Sequence, residues 1–268
     1  MAPAMSIARR VAQVLDCFGP SDPELGIREI ARRSSLPPST THRLVAELVE
    51  LGYLERSANG SVMLGLALFE LGQLVPRQRN LRDIALPFME DLQQATRQTV
   101  HLAVRDGNEV VYVEILGNRG TDLPSRVGGR MPAYCTGVGK AILAFSDPEV
   151  VTASMNAGLV PRTEHTITDS DRLLANLAEV RSTGIAFDKE ESGPGILCAA
   201  SPIRARNGDV VGALSVTGRS GMVSLDHVGI AVQAVASALS RRVVYPPSRD
   251  QRLSSGLRST PRALSDSS

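Results

Sequence analysis

Between residues 6 and 65 the sequence alternates short apolar stripes with strong breakers, and that alternation restricts the fold more than anything else in the chain. In SIARRVAQVLDCF, residues 6–18, Ile7, Val11, Val14, Leu15 and Phe18 recur at helical spacing. GPSDPELG then interrupts the pattern with Gly and Pro. REIARRSS, residues 28–35, is a second short helix with Ile30 and Ala31 turned inward. LPP makes a turn. A helix can restart directly after Pro37-Pro38, because proline is tolerated at a helix start and not in its interior. The spacing predicts Ser39 as N-cap and an inner stripe of Leu44, Leu48 and Leu51 with Val45 beside it. Gly52 fits the left-handed residue after the helix end. Tyr53 and Leu54 open a strand, Asn59-Gly60 is a hairpin signal, and Val62, Met63 and Leu64 return.

Three short helices followed by a β-hairpin is the order of a winged helix-turn-helix. In that arrangement the second helix of the motif lies in the major groove, with its N-terminal residues on bases and phosphates. Ser39, Thr40, Thr41, His42 and Arg43 then become a candidate reading surface, with Arg56 and the Asn59-Gly60 wing near the DNA backbone or minor groove. Short hydroxyls let the backbone approach, and Arg43 can fork onto a guanine edge. The plain alternative for the helix alone is a solvated first turn; the preceding helix, tight turn and following hairpin favour DNA. Formal net charge is only +1, so DNA binding must rest on a local patch rather than a global field.

From Thr99 the hydrophobic period changes. TVHLAV, EVVYVEIL, IAFDKEE, ILCAASPIRA and DVVGALSVTG read as strands separated by Asp-Gly and Asn-Gly turns, with helices at 137–146, 147–157, 169–183 and 224–242. The fold class expected is α+β. Two further helices, 66–76 and 81–97, come before this region. The first, LALFELGQLV, is apolar on most sides and is expected to be buried against a partner as a linker helix. The organisation expected is a DNA-binding domain at 1–65, a linker helix at 66–80, an effector-binding domain at 81–245 and a polar, disordered tail at 246–268.

TGVGKAILAF, residues 136–145, invites comparison with a phosphate loop, but Tyr134 stands at the first glycine position and Ala141 at the Ser/Thr position, so that reading fails. What remains is a Gly-rich turn opening a helix, which either holds a small carboxylate on backbone N–H groups or simply packs. Asp188, Cys198, Ser215 and Thr217 lie on separate or same-face strand positions and suggest a pocket in the sheet, or groups satisfied by backbone and water. No G-x-S-x-G or H-E-x-x-H motif occurs, and the four histidines are scattered. His101 alternates with apolar strand residues and reads as a packed histidine. A Cys135–His pair keeps a Cys- or Ser-dependent hydrolase as the alternative to a non-enzyme. Cys17, Cys135 and Cys198 are too far apart for a C-x-x-C site, which argues against zinc or a disulfide framework, and no cofactor is expected. Without a leader-like start or a long apolar span, the chain is expected to be cytoplasmic, with no membrane partner.

The ordered set IREIARRSSLPPSTTHRLVAELVELGYLE, LG at 64–65, TVHLAVRDGNEVVYVE, VGGRMPAYCTGVGKAILA, TITDSDRLLANLAEVRSTGIAFDKEES and GILCAASPIRARNGDVVGALSVTG resembles the IclR family of bacterial transcription regulators over about residues 6–242. The resemblance implies a winged helix-turn-helix, a linker helix and a GAF-like α/β effector-binding domain. It also implies dimers or tetramers on palindromic double-stranded DNA operators, repressing or activating under a small metabolite, often an organic or aromatic acid. Carried over by position, the effector pocket comprises Leu123, Gly137, Val138, Asp188, Ile196, Cys198, Ser215 and Thr217. The chain departs from the family pattern at several places. Arg28 stands at a usual small cap, Ser34-Ser35 at Leu-Gly, Pro38 at a frequent Lys, Thr41 at an aliphatic position and Val62 at a wing Tyr. Ser35 must therefore enter a conformation that glycine adopts more easily, or the turn must differ.

Overall fold

The computed structural model describes residues 5–117, 123 and 125–243, with the side chains of 76–79 left aside. The expected tail at 246–268 lies outside them. The chain divides into two compact units, residues 1–79 and 80–268.

The first unit holds α1 (Ile7–Leu15), β1 (Glu24–Leu25), α2 (Ile27–Ser34), α3 (Pro38–Glu50), β2 (Leu54–Arg56), β3 (Val62–Leu64) and α4 (Leu66–Gln73). Ser6 caps α1 by accepting the Arg9 N–H. The breaker segment also supplies β1, which the sequence pattern hid, and β1 joins the hairpin in a three-stranded sheet of order β1-β3-β2. Its core is Val14, Phe18, Leu25, Ile30, Leu36, Leu44, Val45, Leu48, Leu54 and Val62 with Cys17. Ser35 takes a left-handed φ of 54°, so the helix-turn-helix turn keeps its geometry without glycine. Gly52, at φ +74°, turns the chain out of α3 as its position predicts.

One expectation changes here. Ser39 is not the N-cap: Pro37 holds that place and Pro38 is the first helical residue, which its fixed φ suits. The linker helix α4 buries none of its residues within its unit; Phe69 and Leu74 are 63% and 64% exposed.

The second unit holds α5 (Pro76–Thr96, its start lying in the first unit), β4 (Thr99–Asp106), β5 (Glu109–Leu116), β6 (Arg130–Pro132), α6 (Gly137–Ala144), α7 (Pro148–Asn156), α8 (Ser170–Thr183), β7 (Ala186–Lys189), β8 (Ile196–Arg204), β9 (Val210–Arg219) and α9 (Leu225–Ser240). The strands form one antiparallel sheet of order β6-β5-β4-β9-β8-β7. One core packs Leu81, Ala85, Met89 and Leu92 of α5 and Val228, Val232, Ala236 and Leu239 of α9 on one face. The other packs α6, α7 and α8 on the opposite face, through Ile142, Leu143, Val151, Leu173 and Leu177. The α+β expectation holds as this three-layer, GAF-like arrangement; the short β6 was not anticipated.

Candidate DNA interface and effector pocket

On α3 the outward face runs Ser39, His42, Arg43, Ala46, Glu47 and Glu50 at three- and four-residue spacing, with Thr40 half-buried beside it. Positive and hydroxyl groups sit at the N-terminal half and two carboxylates at the far end. This charge order would favour the N-terminal half against a phosphate-lined groove. Thr41 must be removed from the reading surface. It is fully buried, and its hydroxyl donates to the Pro37 carbonyl at 3.2 Å. The aliphatic residue that relatives place there was the signal that this is a core position. Arg56 lies exposed at the end of β2, and the Asn59 carbonyl oxygen accepts from the Ser57 hydroxyl and the Ser61 amide to fix the wing tip. Arg32 and Arg33 are committed to Glu29, and Arg33 also to Asp22, so α2 adds less free charge than its sequence suggests.

In the second unit a small cavity opens where α6 meets the sheet. Leu123, Gly137, Val138, Asp188, Ile196, Cys198, Ser215 and Thr217 all line it. So do His101, Tyr112, Ser125, Met131, Thr136 and Ser192, which the sequence reading left out. The α6 N-terminus is built for close approach. Thr136 caps it by accepting the Gly139 N–H at 3.2 Å. A Cβ on Gly139 would meet the Ala133 carbonyl at 2.1 Å, and one on Gly137 would meet the Cys198 sulfur at 2.8 Å. Glycine thus lets α6 seat against the sheet, and Gly137 and Val138, whose amides have no helical carbonyl to reach, line the cavity.

On the sheet side, His101 pairs in register with Ser215, and Thr99 with Thr217. His101 is buried and neutral, its pKa lowered by burial to about 4. Its Nε2 lies 2.8 Å from the Ser125 hydroxyl, and its Nδ1 lies 3.4 and 3.3 Å from the hydroxyls of Ser215 and Thr217. The packed-histidine expectation is right about burial and missed that the ring faces the cavity. Tyr112 packs against it in a tilted arrangement, ring centroids 5.1 Å apart. Asp188 Oδ1 accepts the amides of Glu191 at 2.7 Å and Ser192 at 3.2 Å. Burial nevertheless raises its carboxyl to about 6. Behind it, Lys140 of α6 forms a buried ion pair with Glu191. Lys140 was the one informative remnant of the failed phosphate-loop pattern: a lysine on a helix otherwise wholly buried needs a buried partner.

Burial pushes the thiols of Cys135 and Cys198 up to about 12, so neither is a thiolate nucleophile at neutral pH. Among the described residues no group of three or more His, Cys, Asp or Glu side chains could hold a metal ion, and no helix is long and apolar enough to cross a membrane.

Residues 8–58 match the IclR helix-turn-helix domain, and residues 73–241 match the family described as bacterial transcriptional regulator IclR C-terminal. The chain belongs to the IclR family. Among IclR-family relatives it is 32% identical to the HTH-type transcriptional regulator XynR of Escherichia coli, over 91% of this chain and 99% of that one. It is 31% identical to the E. coli HTH-type transcriptional repressor AllR, covering 84% of this chain and 83% of the relative. A solved IclR homolog from Microbacterium hydrocarbonoxydans, complexed with 4-hydroxybenzoate, superposes with a TM-score of 0.83 at 32% identity, over 88% of this chain and 98% of that one. The Thermotoga maritima IclR structure gives 0.74 at 30%, over 89% and 98%. The IclR family consists of transcriptional regulators rather than enzymes, which removes the hydrolase alternative.

Proposed function

We propose that this chain is an effector-responsive regulator that reads operator DNA through Ser39, Thr40, His42 and Arg43, with Arg56 on the backbone, and that a small organic or aromatic acid in the α6 cavity sets its activity as repressor or activator. The observation that carries the effector half is convergence: eight positions scattered from 123 to 217 meet at one cavity, at a helix N-terminus facing buried strand hydroxyls. Those amides suit a carboxylate. The 4-hydroxybenzoate bound by the Microbacterium homolog is of this class. The apolar face of α4 supports assembly as a homodimer or as a tetramer made of two dimers, since it finds no cover within its own unit. Two paired reading helices call for a palindromic operator.

The test uses the full chain. Duplexes selected from a random library supply the operator, and 4-hydroxybenzoate and other small carboxylic acids supply the effector candidates. An acid at 100 times its Kd should stabilise the protein by about 2.7 kcal/mol and change operator affinity. Ser215→Ala with Thr217→Val should abolish both responses while leaving affinity for the selected duplex unchanged in the absence of acid. Acids that neither raise Tm nor alter operator binding would sink the effector assignment.

A further inference from the structure

Among the described residues, the charges buried around the cavity do not balance. Two carboxylates, Asp188 and Glu191, are 2% and 5% exposed, against one buried ammonium, Lys140, at 1%. Lys140 is spent on Glu191 Oε1, and Glu191 Oε2 has no hydrogen-bond partner. Other titratable groups surround Asp188, and among the described residues its printed hydrogen bonds come from backbone amides, with Lys140 acting on it only through space. Cys198 is its register partner on β8, Tyr112 reaches it from β5 and Cys135 from the turn before α6. The thiols and the phenol are held protonated and neutral by burial. His101, on β4, is uncharged. Arg162 lies on the surface, its Nε on the Ser192 carbonyl at 3.3 Å. Among the described residues, the cavity lining contains no lysine or arginine.

An acid anion entering this cavity brings a second uncompensated negative charge into a water-poor space beside Asp188. Helix amides offset part of that charge through the helix dipole, but they supply no whole positive charge. The least costly compensation is a proton on one of the groups already there.

We propose that the effector is taken up as an acid anion together with one proton, and that Asp188 holds the proton. This rests on the effector assignment above and gives it a mechanism for charge. In the loaded cavity Asp188 is a neutral carboxylic acid. Its Oδ1 keeps the amides of Glu191 and Ser192, and its O–H donates toward the ligand. The proton comes from solvent, so charge balances as ligand anion plus H⁺ on the free protein giving the loaded protein. Asp188 thereby selects for ligands that carry both a carboxylate and an acceptor within its reach.

The experiment is calorimetric titration of the full chain with 4-hydroxybenzoate, benzoate, lactate and pyruvate, carboxylates fully ionised at neutral pH. Buffers of different ionisation heat report the protons exchanged. An acid that binds should carry in close to one proton above pH 6. Its affinity should then fall by up to about tenfold per pH unit on the alkaline side. Asp188→Asn retains an oxygen for both amides, so the loop stays seated; it should abolish the uptake, flatten the pH profile and bind the acid more tightly than wild type at pH 8. His101→Gln should retain the uptake. Binding with no proton uptake, or uptake unchanged in Asp188→Asn, overturns the proposal while leaving the effector assignment standing. If none of these acids binds and none raises Tm, the proposal falls together with that assignment.

Discussion

The two units carry their chemistry in opposite ways. The reading unit places its charged groups outside a small apolar core, and its ion pairs, Arg32 and Arg33 on Glu29, lie at the surface. The effector unit buries its polar groups in and beside the sheet: Lys140, Asp188, Glu191, His101, Ser215 and Thr217 are all nearly inaccessible. The lesson is about what each unit can afford to change. An exposed contact can be exchanged with little structural penalty. A buried one is held by every neighbour that desolvates it, so the cavity's chemistry and its stability are the same property.

The sharpest way to break this contrast is to remove one partner of each kind of pair. Lys140→Met leaves Glu191 buried without its ammonium and should cost about 3–5 kcal/mol, read from denaturant unfolding, whereas Lys140→Met with Glu191→Leu should recover most of it. Arg33→Met, on the exposed network, should shift the midpoint little. Equal losses for the two single variants would erase the distinction. The next effect concerns binding. Arg43→Ala should weaken a selected operator by about 1–3 kcal/mol while barely changing affinity for random DNA, as a base contact requires. Gel-shift titrations with equal losses on both duplexes would make Arg43 a phosphate contact instead. The smallest effect is conformational. Ser35 sits at φ 54°, so Ser35→Gly should stabilise the reading unit by roughly 0.5–1 kcal/mol in thermal unfolding, and a neutral or negative result would mean that chain entropy outweighs the relieved strain.

The same contrast explains what the sequence made legible. In the reading unit, apolar spacing and breakers located α1 to α3 and the hairpin, because surface and core alternate along each short element. Errors came where local chemistry competes. Ser39 looked like a cap, but Pro38 is already helical, and Thr41 looked like a reader because its type is polar although its spacing is that of the core. β1 was hidden because two residues pairing with β3 leave no period to detect. In the effector unit the strands were legible from their alternation, the polar strand positions and the Gly-rich turn suggested a pocket, and the resemblance added Leu123 and Ile196 to it. His101, Ser125 and Ser192 reach it from β4, from the β5–β6 connection and from the loop after β7, a convergence that only the sheet's order creates. Burial of Lys140 against Glu191 joins positions 51 apart in sequence, beyond any local pattern.

His101 and Asp188, described as two linings of one cavity, also bear on how the fold meets acid. The histidine's pKa falls from 6.5 to about 4 on folding, so the unfolded chain binds the extra proton and stability is lost as pH drops between those values. The carboxyl rises from 3.8 to about 6, so the folded chain binds the extra proton and stability is gained over nearly the same interval. The two work as counterweights. Mild acidification can therefore alter what the cavity holds without loosening the fold around it, which separates the setting of the switch from its survival.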